Sequence, residues 1–162
     1  EWDGLTRHGD SATIRNCHFE AVDIGIQLEF SWNTRIESCT FNDCPLGIYN
    51  DPVGSGMMFV VIRDCSFGDC SATVKAISAG VASECQIIEN RFFSSAAVGV
   101  GAAANAFIDT SAGTNNLIAL NVMTCALPTP ANGDYDDVNS GDITDAWIQN
   151  YCIDGVAVTT PT

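Results

Sequence analysis

Two aspartates occupy the same place in two related segments and could do carboxylate chemistry. Asp43 and Asp69 each follow a phenylalanine by two residues, and each directly precedes a cysteine. On neighbouring parallel strands their carboxyl groups would lie about 5 Å apart, close to the ~5–5.5 Å between the two carboxyls of a retaining glycosidase. An aspartate repeated at any turn gives the same spacing. We therefore interpret the pair as turn residues, with cation binding and catalysis as the alternatives.

Two aromatic residues suggest a different chemistry, the binding of sugars without cleavage. Trp32 and Tyr49 are each followed by asparagine, and we predict that they lie at corresponding ends of two related strands and form an aromatic patch. Aromatic faces beside carboxylates and amides suit glycans, so Trp32, Tyr49, Asp43 and Asp69 are the carbohydrate-binding candidates. The alternative is that the aromatic rings pack or cap the fold.

The remaining polar candidates carry weaker signals. Five aspartates fall within residues 134–145, but they lack the twelve-residue spacing and final glutamate of a calcium loop. We predict a solvated acidic loop there, with Tyr135 and Trp147 nearby as patch or cap residues. His8 and His18 fit no ligand spacing and no paired CxxC motif is present, so we predict no metal, no cofactor and an exposed His18.

Eight cysteines would suggest a disulfide framework in a short secreted domain, but their positions favour another interpretation. Cys17, Cys39 and Cys65 share one place in a repeat, and Cys44 and Cys70 share another. Equivalent residues on adjacent parallel strands lie about 4.8 Å apart, wider than the ~3.8 Å between the Cβ atoms of a disulfide. We predict stacked, reduced thiols, with a few cross-strand bridges as the alternative.

The elements that position these residues come from one motif that returns along the chain. It reads Ile14-Arg15-Asn16-Cys17-His18-Phe19 in its first copy, and the polar third position recurs at 16, 38, 64, 90, 121 and 150. A period of roughly 22 to 31 residues indicates a solenoid. After the phenylalanine of the first four copies, alternating apolar residues predict a further strand, such as Ile24 to Phe30 with one buried face.

Three short strands in each repeat describe an all-β, single-stranded parallel β-helix of about six rungs, where a rung is one turn of the coil. We assign residues 13–162 to this domain and residues 1–12 to an N-terminal lead-in segment or cap. The extra residues of the longer repeats fall between the third strand and the next isoleucine, within 51–56, 78–84, 103–116 and 125–145. They are predicted to project from one edge of the column.

Charge supports the same register and restricts the partners. Arg15, Glu37, Arg63 and Glu89 follow the repeat isoleucines, so opposite charges are predicted to alternate up the outer face. The formal net charge of −14 repels phosphate backbones and anionic lipid. No apolar run reaches the ~18 residues of a membrane span. We expect no nucleic-acid or membrane partner, and a single core for 162 residues.

The motif resembles the right-handed parallel β-helix superfamily, which includes pectin-degrading enzymes and the tailspike, fibre and surface proteins of tailed bacteriophages. The resemblance rests on the repeated Ile-x-Asn-x-x-Phe core followed by Gly25-Ile26, Gly47-Ile48, Thr73-Val74 and Gly99-Val100. It implies a right-handed coil. It is specific for the fold and weak for activity, since members range from lyases to proteins without catalysis. Neither a carboxylate cluster with a basic residue nor an Asp cluster with a histidine is evident.

The resemblance therefore favours a non-enzymatic structural protein on the virion surface of a tailed phage, either a capsid-decoration protein or part of a tailspike or fibre. It further implies a homotrimer, contacts with other capsid or tail proteins, and possible binding to host surface polysaccharide. No catalytic residue is assigned. The alternative is an extracellular polysaccharide-degrading lyase or glycoside hydrolase of the same superfamily, and a fragment of a bacterial adhesin is a third possibility.

Overall fold

The chain folds as a column of parallel β-strands, seen here in a computed structural model. The structure describes residues 5–50, 56–69, 77–78, 82–94, 108–109, 114–125, 135–136, 145–152 and 157–158. Three sheets run along the column and contain every strand named below. Each coil of the chain contributes one strand or more to the successive sheets, which confirms the predicted all-β parallel β-helix.

Sheets B and C form two faces of the column, and each has six parallel strands in the described part of the chain. The strands of sheet B are β2 (Thr13–Arg15), β5 (Arg35–Glu37), β9 (Val61–Arg63), β13 (Gln86–Ile88), β16 (Leu117–Ala119) and β19 (Ala146–Ile148). The parallel strands of sheet C are β3 (His18–Glu20), β6 (Thr40–Asn42), β10 (Ser66–Gly68), β14 (Arg91–Ser94), β17 (Val122–Cys125) and β20 (Asn150–Cys152). Six stacked copies match the six predicted rungs.

Sheet A closes the coil. Its described strands are β1 (Leu5–Asp10), β4 (Ile24–Trp32), β7 (Leu46–Asn50), β8 (Met57–Met58), β11 (Ile77–Ser78), β12 (Ala82–Ser83), β15 (Ile108–Asp109) and β18 (Tyr135–Asp136). The long β4 pairs with β7 over most of its length and with β8 through Trp32 and Met58. β4 bends at Phe30, which has a φ of 48°. Phe30 therefore faces outward and is exposed, contrary to the predicted alternation, while Ser31 is buried.

Like side chains stack in the core because successive rungs keep a fixed register. Ile14, Ile36, Ile62, Ile87 and Ile118 form one buried column. Beside it stand the parallel rings of Phe19, Phe41, Phe67 and Phe92, whose centroids are 4.8 to 5.0 Å apart. Burying such side chains contributes roughly 1.5–3 kcal/mol each, and aromatic stacking adds to that. The core is one continuous stack along the column.

Gly25 in β4 has no side chain because the phenylalanine stack leaves no room for one. Gly25 and Gly47 are buried neighbours in these strands. A Cβ on Gly25 would lie 2.6 Å from a ring carbon of Phe41 and 2.6 Å from the Gly47 carbonyl oxygen. Any side chain at Gly25 would therefore force the ring stack away from sheet A.

Wherever both residues are described, each corner between sheets follows one rule: a residue with positive φ is followed by a residue whose side chain turns inward. The described positive-φ residues of the first corner, between sheets A and B, are Ser11, Asn33, Phe59, Glu84 and Asn115. Those of the second corner, between sheets B and C, are Asn16, Ser38, Asp64, Glu89, Leu120 and Gln149. Those of the third corner, between sheets C and A, are Ala21, Asp43 and Asp69.

The predicted register is right for rungs one to three and wrong by one residue for rungs four to six. Ile87 and not Ile88 continues the isoleucine column, and Phe92 and not Phe93 continues the ring stack. Asn90 was predicted to be the outer marker of rung four, but Glu89 takes that position and Asn90 lies one residue later, in the column of Cys65. Asn121 and Asn150 are displaced in the same way.

The strands at the two ends of the column differ in direction. Residues 5–10 of the segment assigned as a lead-in or cap form β1, which pairs in parallel with β4. At the other end β21 (Ala157–Val158) pairs with β20 in the antiparallel direction. Most residues of the predicted projecting insertions, and Thr73, Val74, Gly99 and Val100 of the motif, lie outside the described residues.

Candidate functional site

The two aspartates singled out by the repeat lie on adjacent rungs at the third corner, as their spacing predicted. Asp43 and Asp69 both have positive φ, 52° and 47°. Their backbone N–H groups donate to the carbonyl oxygens of Gly68 and Phe93, each one rung further along. Aspartate tolerates this left-handed conformation better than most residues. The pair therefore builds the corner, and a role in binding or catalysis stays a prediction.

The predicted aromatic pair is not formed. Trp32 lies at the end of β4 opposite Met58, whereas Tyr49 lies in β7 opposite Gln27. The two aromatic residues thus occupy columns five positions apart along β4. The prediction was wrong because β4 and β7 do not end at equivalent positions: β4 continues through a bend to the first corner.

Three exposed aromatic residues lie at or near the first corner, and only one of them was predicted. Phe30 and Trp32 are each 47% exposed, and Phe59 is 42% exposed. Trp32 precedes the corner residue Asn33, and the next rung has Phe59 at the position of Asn33. We call Phe30, Trp32 and Phe59 the first-corner aromatic surface. Aligning the corners of successive rungs would have revealed Phe59, because it stands where polar residues normally turn the chain.

Buried amides form a ladder on the inner side of the second corner. The Oδ1 atom of Asn121 accepts from the Asn90 backbone N–H at 2.9 Å, and that of Asn150 accepts from the Asn121 N–H at 3.0 Å. Each amide nitrogen also donates to a backbone carbonyl of the preceding rung, as from Asn121 to Ile87 at 2.9 Å. All three asparagines are fully buried. Their hydrogen-bonding groups are used to join successive rungs.

The first corner ends in a similar arrangement with a buried carboxylate. Asp145 is 6% exposed and its Oδ1 accepts from the Asn116 backbone N–H at 2.7 Å and from the Asn116 amide at 3.1 Å. This corrects the prediction of a solvated acidic loop for Asp145. Of the other four aspartates, Asp136 lies in β18, and Asp134, Asp137 and Asp142 lie outside the described residues.

Where the structure describes cysteine side chains, five of them are free thiols, as predicted, and they occupy inward corner positions. They are Cys17, Cys39, Cys44, Cys65 and Cys85. Cys70, the predicted stacking partner of Cys44, lies outside the described residues. The Sγ atom of Cys65 donates to the Ile36 carbonyl at 3.7 Å, and that of Cys39 donates to the Ile14 carbonyl at 3.7 Å. Burial raises the pKa of Cys65 to about 12 and that of Cys85 to about 11. These groups stay protonated at neutral pH, so they are poor nucleophiles and poor metal ligands.

The outer face shows the predicted charge alternation over three rungs. Arg15, Glu37 and Arg63 lie opposite one another in register, and Arg63 Nη2 is 3.4 Å from Glu37 Oε1. Glu89 is displaced from this column to the second corner, where Ile88 takes its place opposite Arg63. The alternation is therefore wrong at the fourth rung.

Histidine and acidic residues on the outer surface form local pairs. His18 is exposed, as predicted, and its Nε2 atom lies 3.4 Å from Glu20. Within the described ranges, no group of three His, Cys, Asp or Glu side chains is arranged to hold a metal ion. In the same part of the chain no helix is long and apolar enough to cross a membrane.

Comparison with known families agrees with the coil geometry. Residues 3–122 match the family described as "Right handed beta helix region". This match covers most of the chain, which therefore belongs to the right-handed β-helix family. Searches of curated proteins and of solved structures gave no significant match. The family contains both enzymes and structural proteins, so membership fixes the fold and leaves the activity to be argued from the surface.

Proposed function

We propose that this protein is a non-enzymatic structural component on the surface of a tailed-phage virion, as a capsid-decoration protein or part of a tailspike or fibre. The observation that carries the proposal is the use of polar side chains inside the column. Asn90, Asn116, Asn121, Asn150 and Asp145 are buried, and their amides and carboxylate bond to neighbouring rungs. Such groups make a stiff column, because removing any of them leaves a buried partner unsatisfied.

The outer surface supports a particle component more than a catalytic cleft. Asp43 and Asp69 are explained by the corner that they build, and the buried thiols are held in their unreactive form. A net charge of −14 keeps a surface soluble. The proposed partners are further copies of the chain in a homotrimer and other capsid or tail proteins.

The location is tested by labelling particles from the native source with an antibody raised against the folded chain. Electron microscopy should show labelling at regular positions on the capsid or tail. Label found only on free protein outside the particles would contradict a virion role and favour the extracellular alternative. An antibody against a known capsid protein provides the control for particle integrity.

Glycan binding is a second candidate function, and the first-corner aromatic surface favours it. Exposed rings at Phe30, Trp32 and Phe59 offer apolar faces of the kind that stack on sugar rings. We expect binding to host surface polysaccharide on a glycan array to fall at least tenfold in Trp32→Ala. Tyr49→Ala provides the comparison, because Tyr49 lies in another column. Equal loss in both variants would reject the first-corner surface as the sugar site.

The alternative enzymatic function rests on the stacking of Asp43 and Asp69. A retaining glycosidase with this pair would release reducing ends from capsular polysaccharide, and Asp43→Asn or Asp69→Asn would abolish the release. Under the structural proposal the wild-type chain releases none. Release by the wild type that disappears in either variant would establish the enzyme and overturn the non-enzymatic role.

A further inference from the structure

A second exposed apolar surface lies on the outer side of the second corner in the last three rungs. It consists of Phe93, Leu120, Val122 and Ile148, which are between 40% and 49% exposed. Leu120 is at the tip of the corner, and its backbone N–H donates to the Ile148 carbonyl of the next rung at 3.0 Å. Ile148 lies on the sheet B flank and Val122 on the sheet C flank, where Phe93 lies two positions further from the corner, opposite Thr124. We call these four residues the second-corner apolar surface.

The same columns are polar or charged in the first three rungs, which provide an internal comparison. The tip column of Leu120 contains Asn16, Ser38 and Asp64. The column of Ile148 contains Arg15, Glu37 and Arg63, and the column of Val122 contains His18, Thr40 and Ser66. The corner geometry therefore does not require apolar residues. Contiguous exposed apolar residues on a soluble protein mark an interaction surface.

Leu120 carries a second, independent signal because its backbone has a φ of 58°. A bulky residue is disfavoured in the left-handed region, where asparagine or glycine fits better. The isolated chain gains nothing from an exposed leucine in this conformation. Strain of this kind persists where the side chain serves a function outside the local fold.

We propose that the second-corner apolar surface binds further copies of this chain, side by side around the Leu120 tip. Two copies with a charge of −14 each repel one another. This repulsion is weakest where the exposed side chains are apolar, so contact between copies is favoured there. The exposed residues Glu89 and Arg91 lie among these apolar residues, Glu89 beside Leu120 in the tip column and Arg91 opposite Val122, so neighbouring copies can pair opposite charges there. This inference rests on the proposed homotrimer and assigns the surface that holds it together.

The distribution of the surface over both flanks favours a closed ring over a two-fold pair. A single partner on one flank would leave the other flank in water. In a ring the sheet B flank of each copy meets the sheet C flank of the next, so Ile148 faces Val122 and Phe93 of a neighbour and both flanks are covered. The tips at Leu120 then lie together near the axis.

Light scattering coupled to size exclusion tests the inference with a matched pair of variants. The wild type should have a mass that is a multiple of 17.2 kDa, with three copies expected. The double variant Leu120→Asn with Val122→Thr introduces the residues that the same columns have at Asn16 and Thr40. It should run as a single copy with an unchanged β-sheet circular dichroism spectrum. Phe59→Asn is the control, because Phe59 is also bulky, exposed and of positive φ but lies at the first corner.

Cross-linking provides a measurement that does not depend on dissociation. Leu120→Cys should be joined between copies by a short bis-maleimide, whereas Phe59→Cys should not. A wild-type oligomer that persists in the double variant and shows no cross-link at Leu120→Cys would overturn the assigned surface while leaving the homotrimer standing. A wild type of one copy at all concentrations would overturn the homotrimer and this surface together.

Discussion

The inner column of the second corner uses cysteine in its first half and asparagine in its second. Cys17, Cys39 and Cys65 occupy rungs one to three, and the three asparagines of the ladder continue from Asn90. The thiol of Cys65 and the amide of Asn90 donate to carbonyls at equivalent places, Ile36 and Ile62, two residues before the corner residue of the preceding rung. The corner thus needs a buried donor aimed at one carbonyl, and two chemistries supply it.

The two halves differ in what they offer in return. The thiol bonds are long, 3.7 Å for Cys65 and Cys39, and sulfur is a weak donor. The amide bonds are 2.9 to 3.1 Å, and each Oδ1 also accepts the backbone N–H of the preceding corner. The asparagine half is therefore held by a continuous two-way network, whereas the cysteine half depends mainly on burial.

The largest effect is expected where the network is broken in its middle. Asn121→Ala removes the side-chain partner of the Asn90 N–H and of the Ile87 carbonyl, and it removes one of the two donors to Asn150 Oδ1. Since each unsatisfied buried group costs about 1–3 kcal/mol, we expect a loss of about 3 kcal/mol or more in the free energy of unfolding. Urea denaturation measures it. Cys39→Ala is the control and should lose roughly 1 kcal/mol, because it mainly leaves a small cavity; equal losses would remove the distinction between the halves.

Alkaline pH should weaken the thiol corners and spare the amide ladder. The pKa of Cys65 is raised from 9.0 in a free thiol to about 12 because burial disfavours the thiolate. Above pH 9 the unfolded chain therefore binds fewer protons than the folded one, so stability falls as pH rises. One thiol contributes a slope of about 1.4 kcal/mol per pH unit until the folded group titrates.

Unfolding free energies measured between pH 8 and pH 11 check this slope. Because other groups also titrate in this range, the informative quantity is the difference in slope between a variant and the wild type. Cys65→Ala should have a shallower dependence than the wild type by the contribution of one thiol. Identical slopes for the two proteins would show that Cys65 is not buried as described. Asn90→Ala is a useful reference, because it removes no titrating group and should leave the slope unchanged.

Extending the ladder downward is a milder test of the same comparison. In Cys65→Asn the new amide can donate to the Ile36 carbonyl and accept a hydrogen bond from the Cys39 N–H. It would also lie next to Asn90 of the following rung. We expect a change within about 1 kcal/mol, in either direction, because the added bonds offset a slightly larger buried side chain. A loss as large as that of Asn121→Ala, measured in the same urea series, would mean that the two halves are not interchangeable.

The smallest effect is expected on the outer face of the same rungs. Glu37 and Arg63 form an ion pair at 3.4 Å in a solvated position. Exposed pairs of this kind contribute roughly 0–1 kcal/mol and are screened by salt. Glu37→Gln should therefore lower the thermal midpoint by only a few degrees at low salt and by less at high salt. A large and salt-independent loss would indicate that Glu37 has a role inside the rung.

Sequence reasoning succeeded where the repeat has one possible alignment and failed where it has two. The family fold, the six rungs, the stacked thiols and the adjacency of Asp43 and Asp69 follow from rungs one to three. In rung four the doubled residues Ile87-Ile88 and Phe92-Phe93 fit the motif in either register. The preference of asparagine for left-handed turns favoured the wrong one, and the pairing of buried amides decides for the other.

The candidate surfaces were harder to predict for a related physical reason. Phe30, Phe59 and Leu120 all have positive φ, a conformation that their residue types disfavour. The alternation of apolar residues therefore predicted a buried Phe30, and residue propensities gave no reason to expect Phe59 or Leu120 at an exposed corner. Trp32 was recognised as aromatic, but its partner could not be named until the bend in β4 fixed which residues share its corner.

The antiparallel strand β21 has a consequence for how the column can grow. In a parallel coil each new strand pairs with the one before it in the same direction. An unpaired strand at the end of the coil can therefore also pair with a strand of a neighbouring molecule. β21 reverses that direction over only two residues, Ala157 and Val158, on the last strand of sheet C. Short, mismatched edges are poor templates. On this face the outermost described strand runs in the opposite direction, so end-to-end fibre formation through sheet C would first have to displace β21.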